Sequence, residues 1–108
     1  MKHDLSTLGI AKKAGLLAIG SEAVASALRN RTASLVITAA DASEGSIRRA
    51  RMNAESNGVA YLAVPYTRFE LGSITGRGSP GTIAFLNEGL ASSFIKRLEG
   101  GKNDEYNV

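Results

Sequence analysis

A chain of 108 residues, 44% hydrophobic and 21% charged, can build one packed core but not two domains with a long active-site cleft between them. It has no cysteine, which removes disulfides and thiolate chemistry and fits a reducing cytosol. The net charge of +3 is too small to name a partner by itself, and no apolar run approaches membrane length or forms a signal-peptide core in "MKHDLSTLG". The protein is expected to be cytoplasmic, off the membrane and monomeric.

Residues 4 to 14 space Leu5, Leu8, Ile10 and Ala11 at helical intervals, with Asp4 as the N-cap and Gly15 as the stop. "LLAIG" is long enough for a small strand. Ser21 can cap a second helix, 21 to 30, with Val24, Ala27 and Leu28 on one face. "ASLVITAA" is a buried strand, rich in β-branched and aliphatic residues. Asp41 or Ser43 caps a third helix to about Asn57, with Ile47, Ala50 and Ala54 inward, and the Asn57-Gly58 pair ends it.

"VAYLAV" is the next strand, closed by Pro65. Thr67 begins a helix through about Thr75 with Phe69, Leu71 and Ile74 partly inward. "GTIAFL" is the last strand, and "EGLASSFIKRL" the last helix, with Leu90, Phe94 and Leu98 in register. Residues 1–99 form one domain, and 100–108 are expected to be a flexible polar tail. Strands and helices alternate, so the class is α/β, a three-layer sandwich around a four-stranded sheet. Alternation alone favours parallel neighbours and leaves the strand order open.

The run "GRGSPG", Gly76 to Gly81, has the letters of a dinucleotide-binding G-x-G-x-x-G. That motif must follow a strand and open a helix, with an acidic residue about 20 residues on. Here it follows a helix and precedes a strand, and Pro80 removes an amide. A helix-to-strand turn is the better reading, and a small nucleotide-binding enzyme has no other support. His3 is the only histidine, so zinc sites and Ser-His-Asp catalysis lack material. The carboxylates mostly fall at helix starts, where capping and the dipole explain them. The chain is expected to be no enzyme and to hold no metal or cofactor.

Arginine outnumbers lysine eight to five, and Arg29, Arg31, Arg48, Arg49, Arg51, Arg68 and Arg77 lie in the middle of the chain. Arginine is the better bidentate partner for phosphate. Ordinary solvated helix faces explain Arg48, Arg49 and Arg51 nearly as well.

In order, "LGIAKKAGLLAIG", "GSEAVASALRN" leading into "ASLVITAADAS", "FELGSITGRG" and "GTIAFLNEGLASSFIKRL" resemble the ribosomal L-seven-Ae family of kink-turn RNA binders. The chain is similar above all to its small bacterial YlxQ-like subgroup, from about Leu5 to Leu98. The resemblance implies an α/β/α sandwich with a mixed central sheet, and a ribosome-associated protein that docks on structured RNA. Ribosomal or assembly proteins are further partners it implies.

Carried over residue by residue, the family's RNA-facing positions are Gly20, Ser21, Glu22, Ala23 and Ser26, then Asp41 and Ala42, then Arg77, Gly78, Ser79 and Thr82. A helix beginning at Ser21 would offer unpaired amides to phosphate, and Gly20 would let the backbone approach. The family pattern Gly-x-Asn-Glu-x-x-Lys has Glu22, Ala23 and Ser26 here at its Asn, Glu and Lys positions. The groups that read sheared G·A pairs are thus replaced. A paralogue that keeps the fold and works through protein contacts is the alternative reading.

Overall fold

The computed structural model describes residues 5–107, with side chains through Leu98. In chain order the elements are α1 (Ser6–Lys13), β1 (Leu17–Ile19), α2 (Ser21–Arg29), β2 (Leu35–Thr38), α3 (Glu44–Ser56), β3 (Ala60–Ala63), α4 (Arg68–Thr75), β4 (Thr82–Phe85) and α5 (Glu88–Asn107). The strands lie in the order β1-β4-β2-β3. β4 is antiparallel to both β1 and β2, and β2 is parallel to β3. The sheet is therefore mixed, as the family resemblance implies and as alternation alone does not.

Side chains alternate across the pleat, which sends successive residues of one strand to opposite layers. Leu35 and Ile37 of β2, with Ile83 and Phe85 of β4, pack with Leu8, Leu71 and Phe94 under α1, α4 and α5. Val36, Ala84 and Ala18 turn the other way, onto Val24, Ala27 and Leu28 of α2 and Ala50 and Ala54 of α3. One layer is built from large side chains and the other mostly from alanine. Both central strands are buried on both faces, which is why they read as continuous apolar runs. No helix among the described residues is long and apolar enough to cross a membrane.

Several local expectations are corrected. Asp4 lies outside the described residues, and α1 starts at Ser6 with Leu5 in the N-cap position. Ser21 is the first helical residue of α2, because Gly20 takes the cap position directly after β1. Ser43, not Asp41, caps α3: its hydroxyl accepts the Ser46 N–H at 3.1 Å. Phe69 faces outward, since the contact of α4 with the core runs through Leu71 and Ile74. Helix α5 continues past Leu98 to Asn107. The Gly100-Gly101 pair lowers helix propensity there by roughly 1 kcal/mol per residue but does not forbid the conformation.

Candidate nucleic-acid interface

The strand register decides which loops meet. Ile19 pairs with Ile83, Thr38 with Thr82, and Thr38 with Ala63, so the ends of β1, β2 and β3 and the start of β4 share one end of the sheet. Backbone hydrogen bonds tie the segments beyond these strands. Gly20 N–H donates to the Thr82 carbonyl at 2.9 Å, Ala39 N–H to Gly81 at 2.9 Å, and Ala40 N–H to Tyr66 at 2.7 Å. A Cβ placed on Gly81 would touch both Ala42, at 3.5 Å, and Arg68, at 3.6 Å. Gly20, the Asp41–Ala42 turn and the Gly81–Thr82 end of the third stretch thus meet along one rim, whereas Arg77 and Gly78 lie back along the chain that precedes β4.

Helices α2, α3 and α4 all begin at that rim, and each brings the partial positive charge of its first amides. They differ in how those amides are used. Ser43 caps α3. Thr67 and Glu70 form a reciprocal capping box on α4, with the Thr67 hydroxyl accepting the Glu70 N–H and the Glu70 carboxylate accepting the Thr67 N–H. The cap of α2 is Gly20, which has no side chain, so no side-chain group covers the first amides of α2. A Cβ placed on Gly20 would meet no atom within 4 Å. The start of α2 is open to an approaching ligand.

Around this opening, Ser21, Glu22 and Ala23 are exposed and Ser26 is half-buried. Ser26 Oγ accepts a long, 3.5 Å hydrogen bond from Asn30. Thr82 is buried, and it lies at the floor of a cleft between α2 and α3 bordered by Ser21, Ser46, Arg49 and Asn53. Asp41 is exposed but committed locally: its Oδ1 accepts the Arg68 N–H at 2.8 Å and lies 3.8 Å from Arg68 Nε. Asp41 therefore fixes the start of α4 against the β2 turn. Ala42 is half-buried against Gly81.

The loop from Gly76 to Gly81 runs back along α4 to reach the rim. Arg77 N–H donates to the Gly72 carbonyl at 3.2 Å, and the Gly78 carbonyl packs directly on Gly72. Arg77, Gly78 and Ser79 are exposed. With eight residues, α4 spans about 12 Å, so Arg77 lies toward the far end of the loop rather than beside Gly20.

The cations are only partly gathered. Arg68 and Arg77 flank the loop, and Arg49 borders the α2–α3 cleft. Arg29 and Arg31 close the opposite end of α2, away from the rim. Arg68 was not among the residues expected to bind, although its position carries a signal. A cation in the first turn of a helix opposes the dipole, and that placement suggests a local anion or an external one. Among the described residues no group of three or more His, Asp or Glu side chains could hold a metal ion.

The fold is shared with solved structures. A protein of unknown function from Bacillus halodurans superposes with a TM-score of 0.80 at 25% identity, covering 88% of this chain and 95% of that one. The 15.5 kD RNA-binding protein of Giardia lamblia superposes at 0.73 and 18% identity, with 89% and 84% covered. No curated protein matches the chain in sequence. The sequence model of the ribosomal protein L7Ae/L30e/S12e/Gadd45 family, however, matches residues 5–94, from the residue before α1 into α5. With nearly every element inside that match, the chain belongs to the ribosomal protein L7Ae/L30e/S12e/Gadd45 family.

Proposed function

We propose that this protein binds structured RNA without catalysing a reaction, in association with the ribosome. Its RNA-facing surface is the rim formed by the start of α2, the Asp41–Ala42 turn and the Gly78–Thr82 segment. Family membership supports RNA as the partner. The observation that carries the assignment to this surface is the uncapped start of α2 at Gly20, held beside Thr82 and left open on its outer side.

The chemistry follows from the parts. The amides of Ser21, Glu22 and Ala23 receive a phosphate at the positive end of α2. Arg68, Arg77 and Arg49 add attraction that does not depend on sequence. Asp41 keeps Arg68 at the rim by holding the first amide of α4. Base reading is weaker: Ala23 has no group to bond a base edge, and Glu22 repels phosphate. Kink-turn RNA is accordingly bound by shape and backbone more than by its G·A pairs. The exposed, non-reading Glu22 and Ala23 also favour a second reading, in which the same rim contacts a protein.

Titration of a labelled kink-turn RNA and an unrelated hairpin at two salt concentrations tests the proposal. Binding of both is expected, with the kink-turn preferred modestly and each weakening steeply as salt rises. Absence of binding to either RNA at low salt overturns the RNA reading in favour of the protein one.

A further inference from the structure

Strand β3 is an edge of the sheet, paired with β2 on one side only. Val64 N–H donates to the Thr38 carbonyl across that pair, so Leu62 and Ala60 also turn their backbone groups toward β2. Those of Tyr61 and Ala63 point outward from the sheet. Natural proteins blunt such edges with charge, proline or a bulge. Here the segment from Gly58 to Val64 holds no charged residue and no proline, and its ladder with β2 runs from Ala60 to Ala63 without a bulge. Shortness does not set β3 apart either, since at four residues it is as long as β2 and β4. Ala60 and Ala63 are exposed and small enough for another backbone to come close.

The helix above this edge adds charge. Helix α2 lies on β1 and β4, and α3 lies mainly on β2 and β3, so the flank of α3 away from α2 overhangs the free edge. Ser46, Arg49 and Asn53 border the cleft with α2, while Ala50 and Ala54 face the sheet. At about 100° per residue, the remaining flank holds Glu44, Arg48, Arg51 and Glu55. All four are exposed. None forms an ion pair among the described residues, although Glu44 with Arg48 and Arg51 with Glu55 are spaced to do so.

A second copy of this chain uses both features at once. Two β3 strands that pair antiparallel are related by a two-fold axis, which brings the same flank of α3 from each copy together in opposite directions. The outward groups of Tyr61 and Ala63 place that axis at residue 61 or 62 for fullest overlap. Val59 N–H is bonded to the Ala54 carbonyl, which sets the start of β3 beside the end of α3. With rises of about 3.3 Å per strand residue and 1.5 Å per helix residue, the axis crosses α3 at about residue 51 to 53. Glu55 of one copy then faces Arg48 or Arg51 of the other. A peptide added to β3 alone would leave these charges unused. We propose that the protein forms a two-fold dimer through its β3 edges, secured by Glu55 of each copy against Arg48 and Arg51 of the other. This departs from the monomer expected on sequence. Because the paired strands run in opposite directions, the two rims point to opposite ends of the dimer.

Light scattering of the full chain, without RNA and across a concentration series, reads the association. The mass is expected to rise from 11.3 kDa toward twice that value. Ala63→Pro removes only an outward N–H, so its circular dichroism should match that of the unaltered chain while its mass stays at that of a single copy. Glu55→Arg sets like charges opposite one another and is expected to weaken association roughly 5- to 30-fold, the range of two lost surface pairs. Adding Arg48→Glu and Arg51→Glu to that variant should restore the dimer. A chain that stays single at every concentration, association unchanged in Ala63→Pro or in Glu55→Arg, or no recovery in the charge-swapped chain overturns the proposal. If Ala63→Pro does not fold, Glu55→Arg and its rescue decide alone. None of these outcomes bears on RNA binding, which the titration above tests separately.

Discussion

Gly20 holds φ 99° and ψ 158°, a backbone region that side chains avoid, at the one helix start on the rim without a side-chain cap. Nothing would obstruct a Cβ there, so the cost of replacing it is conformational rather than steric. Gly20→Ala is expected to lose about 1–3 kcal/mol in urea unfolding. It should also weaken RNA binding, because relaxing the strain re-aims the first amides of α2. Arg77 is a different case, exposed and without an ion pair among the described residues. Arg77→Ala should weaken kink-turn and hairpin RNA alike and reduce the salt slope by about one unit. An unchanged slope would take Arg77 out of the interface. At this scale the sequence was readable where a residue's role is local, as at Gly15 and Gly58, which end α1 and α3 in the left-handed conformation. It was not readable for Phe69: apolar residues at 69, 71 and 74 cannot all face inward on an eight-residue helix, and packing into the core beneath α1 selected 71 and 74.

Helix ends and loop packing set the next scale. Helices α1, α2 and α3 end alike, with the amide two residues beyond the C-cap bonded back into the last turn: Leu16 to Ala11, Thr32 to Ala27 and Val59 to Ala54. The left-handed residue this requires is Gly15 in α1 and Gly58 in α3, but Arg31, at φ 61°, in α2. Arg31→Gly is expected to stabilise the fold by about 0.5–1 kcal/mol in chemical denaturation. Because Arg31 is remote from the rim, RNA affinity should hardly change. Gly72 is the stricter position. Any Cβ there would run into the Gly78 carbonyl, which is backbone and cannot rotate away. Gly72→Ala should lift the Gly76–Gly81 loop from α4 and destabilise by about 1–3 kcal/mol. A shift of the Ser79 and Gly81 amide resonances larger than that seen in Gly20→Ala would register the displaced loop. The sequence announced a turn at "GRGSPG" and excluded a dinucleotide cradle from the order of its neighbours. That the turn doubles back on Gly72 was not legible, because the signal is only the absence of a side chain.

The whole molecule is held by two unequal layers. Phe94 of α5 packs its ring 5.0 Å from Phe85 and 6.5 Å from Tyr66, joining the last helix to the central strand and the turn after β3. Phe94→Ala should cost about 3–5 kcal/mol, measured as a fall in the urea midpoint. That is a large share of the total stability of a domain this size. The sequence by itself determined the number, type and order of elements, the glycines at the turns and the helices' buried stripes, except at Ile10 of α1 and Phe69 of α4, which face solvent. Each of these depends on periodicity or on backbone preferences within a few residues. The tertiary structure alone decided that β4 inserts between β1 and β2, because long-range pairing is chosen by packing of both faces at once. That insertion sets Thr82 against Gly20 and Gly81 against Ala42 and Arg68, so three distant stretches of chain become one surface.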